Sequence, residues 1–158
     1  MAIALLNAGR SAEAAVGFRQ VIRLKASNEA TAAAYFNLGI AFKDLARHQD
    51  SAVAYLSALR LRPAFPQAHF NLGRSFQLMA DDPGPAGYLR HHAARRELLL
   101  RAAHHFRRSG GPDASTPGDS YRSLEEVLHQ LGDTEAARRA YVEFLRHAPS
   151  EGDRKSVV

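Results

Sequence analysis

Residues 35–39, Tyr-Phe-Asn-Leu-Gly, recur as residues 69–73, His-Phe-Asn-Leu-Gly, and the two glycines stand 34 positions apart in the chain. The period continues beyond the pentapeptide, because Phe42 and Phe76 each follow their glycine by three positions. A period of this length is typical of repeat proteins, in which each unit is one supersecondary element that buries its apolar face against its neighbours. The sequence of 158 residues therefore predicts a short array of such units.

The composition favours helices over strands. Hydrophobic residues make up 46% of the chain, much of this share is alanine, and β-branched residues are too thinly spread for a large sheet. Leu38 and Phe42 are four positions apart, as are Leu72 and Phe76, so each pair lies on one face of a helix. The chain contains no cysteine, which excludes disulfides, thiolate metal sites and cysteine nucleophiles. We predict an all-α fold.

No segment of the sequence suggests contact with a membrane. No apolar run approaches the roughly 20 residues that a helix needs to cross a bilayer. Residues 1–6 are apolar, but this stretch is too short and too poor in positive charge for a signal peptide. We therefore expect a cytoplasmic protein without a membrane partner.

One nearly complete unit spans residues 35–63. It carries a large aromatic residue, Leu-Gly, a second aromatic residue, and then small, aromatic, alanine and proline residues (Tyr35, Leu38, Gly39, Phe42, Ser51, Tyr55, Ala58 and Pro63). Apart from Ser51 in place of an alanine, this pattern resembles the tetratricopeptide repeat, a helix-turn-helix unit of 34 residues. The resemblance implies an α-α superhelix, a TPR-like solenoid of about three to four helical hairpins.

Two further units match the pattern less completely. The last one has Glu125 in place of the glycine and Phe144 in place of the final alanine, but keeps the other positions (Tyr121, Leu124, Leu128, Gly132, Ala137, Tyr141 and Pro149). The first keeps only its second half (Gly9, Ala14, Phe18 and Val21), behind an opening helix shortened to about residues 2–8. We therefore predict an array over 1–149 and a flexible tail over 150–158. Its repeats are expected at about 1–28, 29–65, 66–108 and 119–149, with a linker at 109–118.

The third unit contains an insertion. Residues 81–85, Asp-Asp-Pro-Gly-Pro, have the composition of a loop, and residues 86–108 lack proline and look helical throughout. This helix would be about eight residues longer than the usual second helix. Tyr121 then follows His69 by 52 positions instead of 34, so the insertion has 18 residues. Asp119 or Ser120 is predicted to cap the next helix.

The inserted segment carries the net charge of the chain. It contains six arginines and one acidic residue, Glu97. Its net charge of +5 therefore equals the formal net charge of the whole chain. A helical projection places four basic residues on one flank of the segment, and we call them the basic edge (Arg90, Arg101, His104 and Arg108). Such an edge would suit an acidic partner such as nucleic acid phosphate. The absence of an accompanying aromatic platform favours the alternative, a solvated basic face.

Neither metal binding nor catalysis is expected. His91-His92 and His104-His105 form two pairs 13 positions apart, hence about 20 Å along one helix, and adjacent histidines point about 100° apart. Gly118-Asp119-Ser120 superficially resembles a serine nucleophile motif, but it precedes a helix and is better interpreted as a cap. We predict no enzyme activity, no cofactor and no metal.

The resemblance implies a concave groove, lined by the first helix of each hairpin, that holds an extended peptide or a helix. We expect a protein-protein interaction module, a scaffold or adaptor whose partner the sequence does not identify. Asn37 and Asn71 recur at one repeat spacing and are expected to hydrogen-bond a bound peptide backbone or to be ordinary surface residues. The predicted groove residues are Phe36, Asn37, Ile40, Lys43, Asp44, Phe70, Asn71, Arg74, Gln77, Arg122, Glu126 and His129.

Two alternatives remain open from the sequence. The chain resembles arrays that precede the catalytic domain of bacterial sulfotransferases and glycosyltransferases, which implies a substrate-recruiting, non-catalytic segment of a larger transferase-type enzyme. The basic edge instead suggests a nucleic-acid-associated adaptor. The shortened first repeat and the missing capping helix suggest either a piece of a longer protein or a homo-oligomer that pairs through its open ends.

Overall fold

The computed structural model describes residues 1–24, 27–81, 88–110 and 117–147, with side chains except those of residues 88–93 and 117. These ranges form eight α-helices and contain no strand. The helices are α1 (Ala2–Asn7), α2 (Ser11–Leu24), α3 (Asn28–Asp44), α4 (His48–Leu61), α5 (Pro66–Asp81), α6 (Tyr88–Ser109), α7 (Pro117–Gln130) and α8 (Thr134–His147). The all-α prediction is confirmed.

Consecutive helices form four hairpins that stack along the chain. The helices pair as α1 with α2, α3 with α4, α5 with α6, and α7 with α8, and each second helix also packs on the first helix of the next hairpin. Helix α3 additionally touches α5, so these two first helices lie side by side. This arrangement is the predicted α-α solenoid. The first hairpin is short as expected, because α1 has six residues and buries none of them.

A glycine in the first helix admits an aromatic ring from the second helix. A Cβ atom on Gly39 would lie 2.5 Å from the ring of Tyr55, and one on Gly73 would lie 2.8 Å from the ring of Phe106. Both rings are fully buried, at 0% exposure. Glycine therefore recurs at this position because any side chain there would displace a buried ring.

Ser51 replaces the alanine that the repeat pattern expects, and the structure shows what its hydroxyl does. Its Oγ donates to the carbonyl oxygen of Gly39 at 2.9 Å and lies 3.2 Å from the Oγ of Ser75. Ser51 and Ser75 are both fully buried. The hydroxyl pair thus joins α3, α4 and α5 at one point and satisfies polar atoms inside the core.

The core consists of two clusters that meet on α4. One contains Phe18 and Phe42 and joins α2, α3 and α4, whereas the other contains Tyr55, Leu72 and Phe106 and runs from α4 to α8. Helix α4 belongs to both, because Ala54 faces the first cluster and Tyr55 faces the second. Helices α3 and α4 therefore couple the two halves of the array, because Phe36 and Ile40 of α3 also pack against the second cluster.

Three hairpin turns share one backbone geometry. Gly9, Ala46 and Gly132 adopt the left-handed conformation, with φ of 73°, 56° and 78°. In each turn the next amide donates to a carbonyl five residues earlier (Arg10 to Leu5, Arg47 to Phe42, and Asp133 to Leu128). These bonds satisfy carbonyls at the end of the first helix. Ala46 occupies the position at which the other two turns have glycine.

The third hairpin departs from the others where the sequence indicated. Helix α6 has 22 residues, whereas α2, α4 and α8 have 14 each, so the extended helix is confirmed. The prediction that Asp119 or Ser120 caps α7 was wrong, because the helix already begins at Pro117 and Ser120 is 2% exposed. Proline suits a first helical position, since its missing amide hydrogen has no helical partner there.

Several predicted segments extend past the described residues. The predicted linker at 109–118 is bounded by the end of α6 at Ser109 and the start of α7 at Pro117. Its middle, residues 111–116, lies outside the described residues, as do most of the predicted loop at 81–85, Pro149 and the predicted tail at 150–158. The repeat boundaries remain a prediction.

We predict that Ala46→Gly raises the free energy of unfolding by about 0.5–1 kcal/mol, because glycine adopts the left-handed conformation without the steric cost of a Cβ atom. Gly132→Ala is the matched reverse change and should lower the free energy of unfolding by about 1 kcal/mol. Urea denaturation followed by circular dichroism measures both. A destabilised Ala46→Gly variant would contradict this account of the turn.

We predict that Gly39→Ala lowers the free energy of unfolding by about 1–3 kcal/mol, because the added methyl group overlaps the ring of Tyr55. A second change, Tyr55→Leu, removes that ring and should make Gly39→Ala less harmful than it is in the unmodified chain. The measurement is a double-mutant cycle by chemical denaturation. Additive effects would show that the glycine is required for another reason.

Candidate functional site

The first helices α3 and α5 present two phenylalanines at equivalent positions. Phe36 and Phe70 are both half-buried. The ring of Phe36 lies 5.8 Å from that of Tyr55 at 49°, and the ring of Phe70 lies 5.7 Å from that of Phe106 at 56°. Ile40, also half-buried, packs against the same core. Because α3 and α5 touch, these side chains lie on adjacent helices, and we call the three of them the apolar floor of the predicted groove.

Two cations and one acid border this floor. Lys43 Nζ lies 3.9 Å from Asp44 Oδ1, and Asp44 Oδ2 also accepts from Ser11 Oγ at 3.3 Å. Arg74 Nη1 instead donates to the neutral Gln77 Oε1 at 2.9 Å. The charge of Arg74 is thus oriented by Gln77 and not neutralised by it. Gln77 itself is only 3% exposed, so little of its side chain is open to a bound segment.

The two recurring asparagines are half-buried beside the phenylalanines. Asn71 Nδ2 donates to the backbone oxygen of Gln67 in its own helix at 2.9 Å. This bond uses one of its two amide hydrogens and leaves its side-chain oxygen available. Asn37 makes no side-chain hydrogen bond to any residue within the described ranges.

The predicted residues of α7 are all exposed. Arg122 lies over the ring of Phe144 at 5.7 Å, and His129 Nε2 pairs with Glu125 Oε1 at 3.0 Å. Glu126 has no ion pair with the residues that the structure describes. Helix α7 joins the array through α6, whereas the predicted residues of α3 and α5 lie on helices in direct contact.

The predicted basic edge of α6 is partly described. Arg101, His104 and Arg108 are all exposed on this helix. Arg101 pairs with Glu97 at 2.9 Å and lies 5.9 Å above the ring of Phe76. Arg90 lies outside the residues whose side chains are described, as do His91 and His92.

Sequence reasoning missed a pair of histidines at the contact between α5 and α6. His69 Nδ1 and His105 Nδ1 lie 2.9 Å apart, and His69 Nε2 lies 3.1 Å from the backbone oxygen of Pro63. The carbonyl only accepts, so His69 carries its hydrogen on Nε2 and His105 donates from Nδ1. The signal was His69 at the position that Tyr35 holds in the preceding unit, but only the fold brings His105 opposite it.

This pair is held in the neutral form. Burial lowers the pKa of His105 to about 4, and the nearby His69, His104 and Arg108 act in the same direction. Burial also lowers the pKa of His69, assisted by Arg108 and His104 and partly opposed by the hydrogen bond to Pro63. The ring of His105 also stacks on those of Phe76 and His69. Full protonation would place two N–H groups against each other at the Nδ1 contact.

A cleft of about 350 Å³ lies between α2, α3 and α4, and sequence reasoning also missed it. Tyr35, Thr31 and Arg60 contribute to its lining. Its two serine hydroxyls are used within the chain, because Ser27 Oγ caps α3 and Ser57 Oγ donates to Val53. Ser27 therefore keeps its hydroxyl hydrogen to donate, and Ser57 keeps oxygen lone pairs to accept.

Within the described part of the chain, no three residues among His, Cys, Asp and Glu are grouped so that they could bind a metal ion. Each helix in these described ranges is also too short or too polar to cross a bilayer.

Comparisons with known proteins agree with this architecture. Residues 32–65 match the family model of the tetratricopeptide repeat, which confirms the repeat recognised at 35–63. Solved structures also match, among them one described as the crystal structure of MamA, with a TM-score of 0.66 and 18% sequence identity. That match covers 98% of this chain and 77% of the other, and at this identity it shows a shared fold. No curated protein matches the sequence.

We predict that the free energy of unfolding decreases as the pH falls from about 6.5 to about 4, because the unfolded chain binds protons on His69 and His105 that the folded chain excludes. Allowing for the partial exposure of His105, this contribution should be about 1–2 kcal/mol. His105→Phe keeps a ring in the stack but removes the titration, so its stability should vary less with pH. Denaturation at a series of pH values measures the difference.

His104→Gln is the control for this experiment, because His104 is the exposed neighbour of His105 on the same helix. It should keep most of the pH dependence of the unmodified chain. If His105→Phe and the unmodified chain gave the same profile, the buried pair would not be the source of the acid sensitivity.

Proposed function

We propose that this chain is a protein-protein interaction module that holds an extended peptide or a short helix of a partner protein in the groove along α3, α5 and α7. The observation that carries the proposal is the matched pair of half-buried rings, Phe36 and Phe70, which rest on Tyr55 and Phe106 at 5.8 and 5.7 Å. Each offers an apolar contact that the array repeats from one hairpin to the next. The tetratricopeptide repeat at residues 32–65 supports the same role.

The chemistry of the groove indicates the character of the bound segment. Neighbouring helices pack about 8–10 Å apart, and a chain in the extended polyproline II conformation advances about 3.1 Å per residue and returns to the same face every three residues. Apolar side chains about three positions apart would therefore reach Phe36 and Phe70 in turn. Lys43 and Arg74 border the floor, while Asp44 is already engaged by Lys43 and Ser11. The segment that fits is apolar at this spacing and carries acidic residues between.

Asn37 and Asn71 complete the proposed contact. Asn71 retains its side-chain oxygen and one N–H beside its bond to Gln67. An amide that can both donate and accept matches the backbone of an extended peptide, which offers one donor and one acceptor at each residue. The two asparagines are one repeat apart, so they would hold the backbone at successive points.

The role requires binding and orientation, not bond-making chemistry. Arg74 is preorganised by the buried Gln77, so little side-chain freedom is lost when a carboxylate approaches. The floor is likewise fixed before binding, because its rings already pack against the core. A groove prepared in this way suits recognition of a flexible segment.

We predict that the double charge reversal Lys43→Glu/Arg74→Glu reduces capture of the partner by about fivefold or more, because two attractive contacts become repulsive. Affinity capture from a lysate of the source cells, with quantitative mass spectrometry, compares the variant with the unmodified chain. Arg23→Glu/Arg60→Glu is the matched control, since it makes the same charge change at two exposed residues of second helices.

Circular dichroism must show the same helicity for all three proteins. Equal capture by the groove variant and the unmodified chain would contradict the groove assignment. Equal loss in both charge variants would show a general dependence on net charge instead.

A further inference from the structure

Helix α6 has an exposed face that the proposed groove does not use. Arg96, Leu100, His104 and Arg107 follow one another at spacings of four, four and three residues, and Arg108 lies beside them. We call these five residues the outer stripe. All five are exposed, and Leu100 is 41% exposed although it is a large apolar side chain. The stripe therefore combines an apolar centre with cations at both ends.

Within the described part of α6, arginines outnumber acidic residues. Glu97 is the acid on this part of α6, and its Oε1 is engaged by Arg101 at 2.9 Å. Arg96, Arg107 and Arg108 form no ion pair with any residue that the structure describes. Arg62 on α4, by contrast, pairs with Glu29 at 2.9 Å.

The opposite face of α6 is fixed in the core. Leu99, Ala102 and Phe106 are at most 1% exposed, so the helix cannot turn to hide the outer stripe. The ring of His105 is directed toward α5, where it stacks on Phe76 and His69. The outer stripe itself contains no phenylalanine, tyrosine or tryptophan on which a nucleic acid base would stack, which favours a protein over a nucleic acid as the occupant.

We propose that the outer stripe binds an acidic amphipathic helix of a protein partner, at a surface separate from the groove. An apolar side chain of that helix would cover Leu100, and flanking carboxylates would meet Arg96 at one end and Arg107 and Arg108 at the other. Arg96 and Arg107 are about 16 Å apart along the helix axis, which is about three turns of the partner helix. Charged residues flanking an apolar seam are the usual arrangement between paired helices.

The test uses defined probes in fluorescence anisotropy. The first probe is a labelled peptide of about 18 residues, with leucines along one helical face and glutamates on both flanks. The second has serine in place of every leucine, and the third is a single-stranded RNA of similar length. We expect Arg96→Ala/Arg108→Ala to weaken binding of the leucine peptide about tenfold, and Leu100→Ser to weaken it about fivefold.

Two controls separate this surface from general charge and from the groove. Arg23→Ala/Arg60→Ala removes two exposed, unpaired arginines elsewhere and should change affinity by less than about twofold. Because the proposed groove would also accept an apolar, acidic segment, every comparison is made in the Lys43→Glu/Arg74→Glu background, where binding to the groove is disfavoured. Loss of binding in the Arg23→Ala/Arg60→Ala control would overturn the proposal, as would equal binding of the serine peptide. Tighter binding of the RNA through the same arginines would assign the stripe to nucleic acid instead.

Discussion

The close approach between a glycine of one helix and a buried ring of its partner is the contact on which this array depends. Gly39 admits Tyr55 and Gly73 admits Phe106, at distances that leave no room for a Cβ atom. The same two rings support Phe36 and Phe70 on the open side of the first helices. The spacing inside the second and third hairpins and the positions of Phe36 and Phe70 are therefore consequences of one packing constraint.

The fourth hairpin shows what happens when that constraint is lost. Glu125 stands where the glycine is expected, and Tyr141, at the position of Tyr55, is 48% exposed instead of 0%. Glu125 pairs with His129, and a cleft of about 360 Å³ opens beside Tyr141. The fourth hairpin thus has a partly polar, open contact where the second has a sealed apolar one.

Features that depend on spacing along one helix were predictable from the sequence. The glycine period, the shortened α1 and the lengthened α6 follow from periodicity and from the residues that interrupt it. Features that depend on contacts between two helices could not be predicted from the sequence. His69 and His105 are 36 positions apart, and their hydrogen bond exists only because α5 and α6 pack together. Gln77 was placed in the groove by register, but its side chain is buried beside Arg74. The start of α7 was misplaced because Asp119 and Ser120 are common caps and Pro117 is an equally good first residue.

The division of the core into two clusters at α4 affects the order in which the helices unfold. In a linear stack each hairpin is held only by its neighbours, so local opening spreads from weakly held segments and stops where burial is dense. Helix α1 buries no residue, whereas α4 contributes to both clusters. Amide protons of α1 should thus exchange with solvent long before those of α4, and a pulling force on the array would unravel its first hairpin while the remainder stays intact.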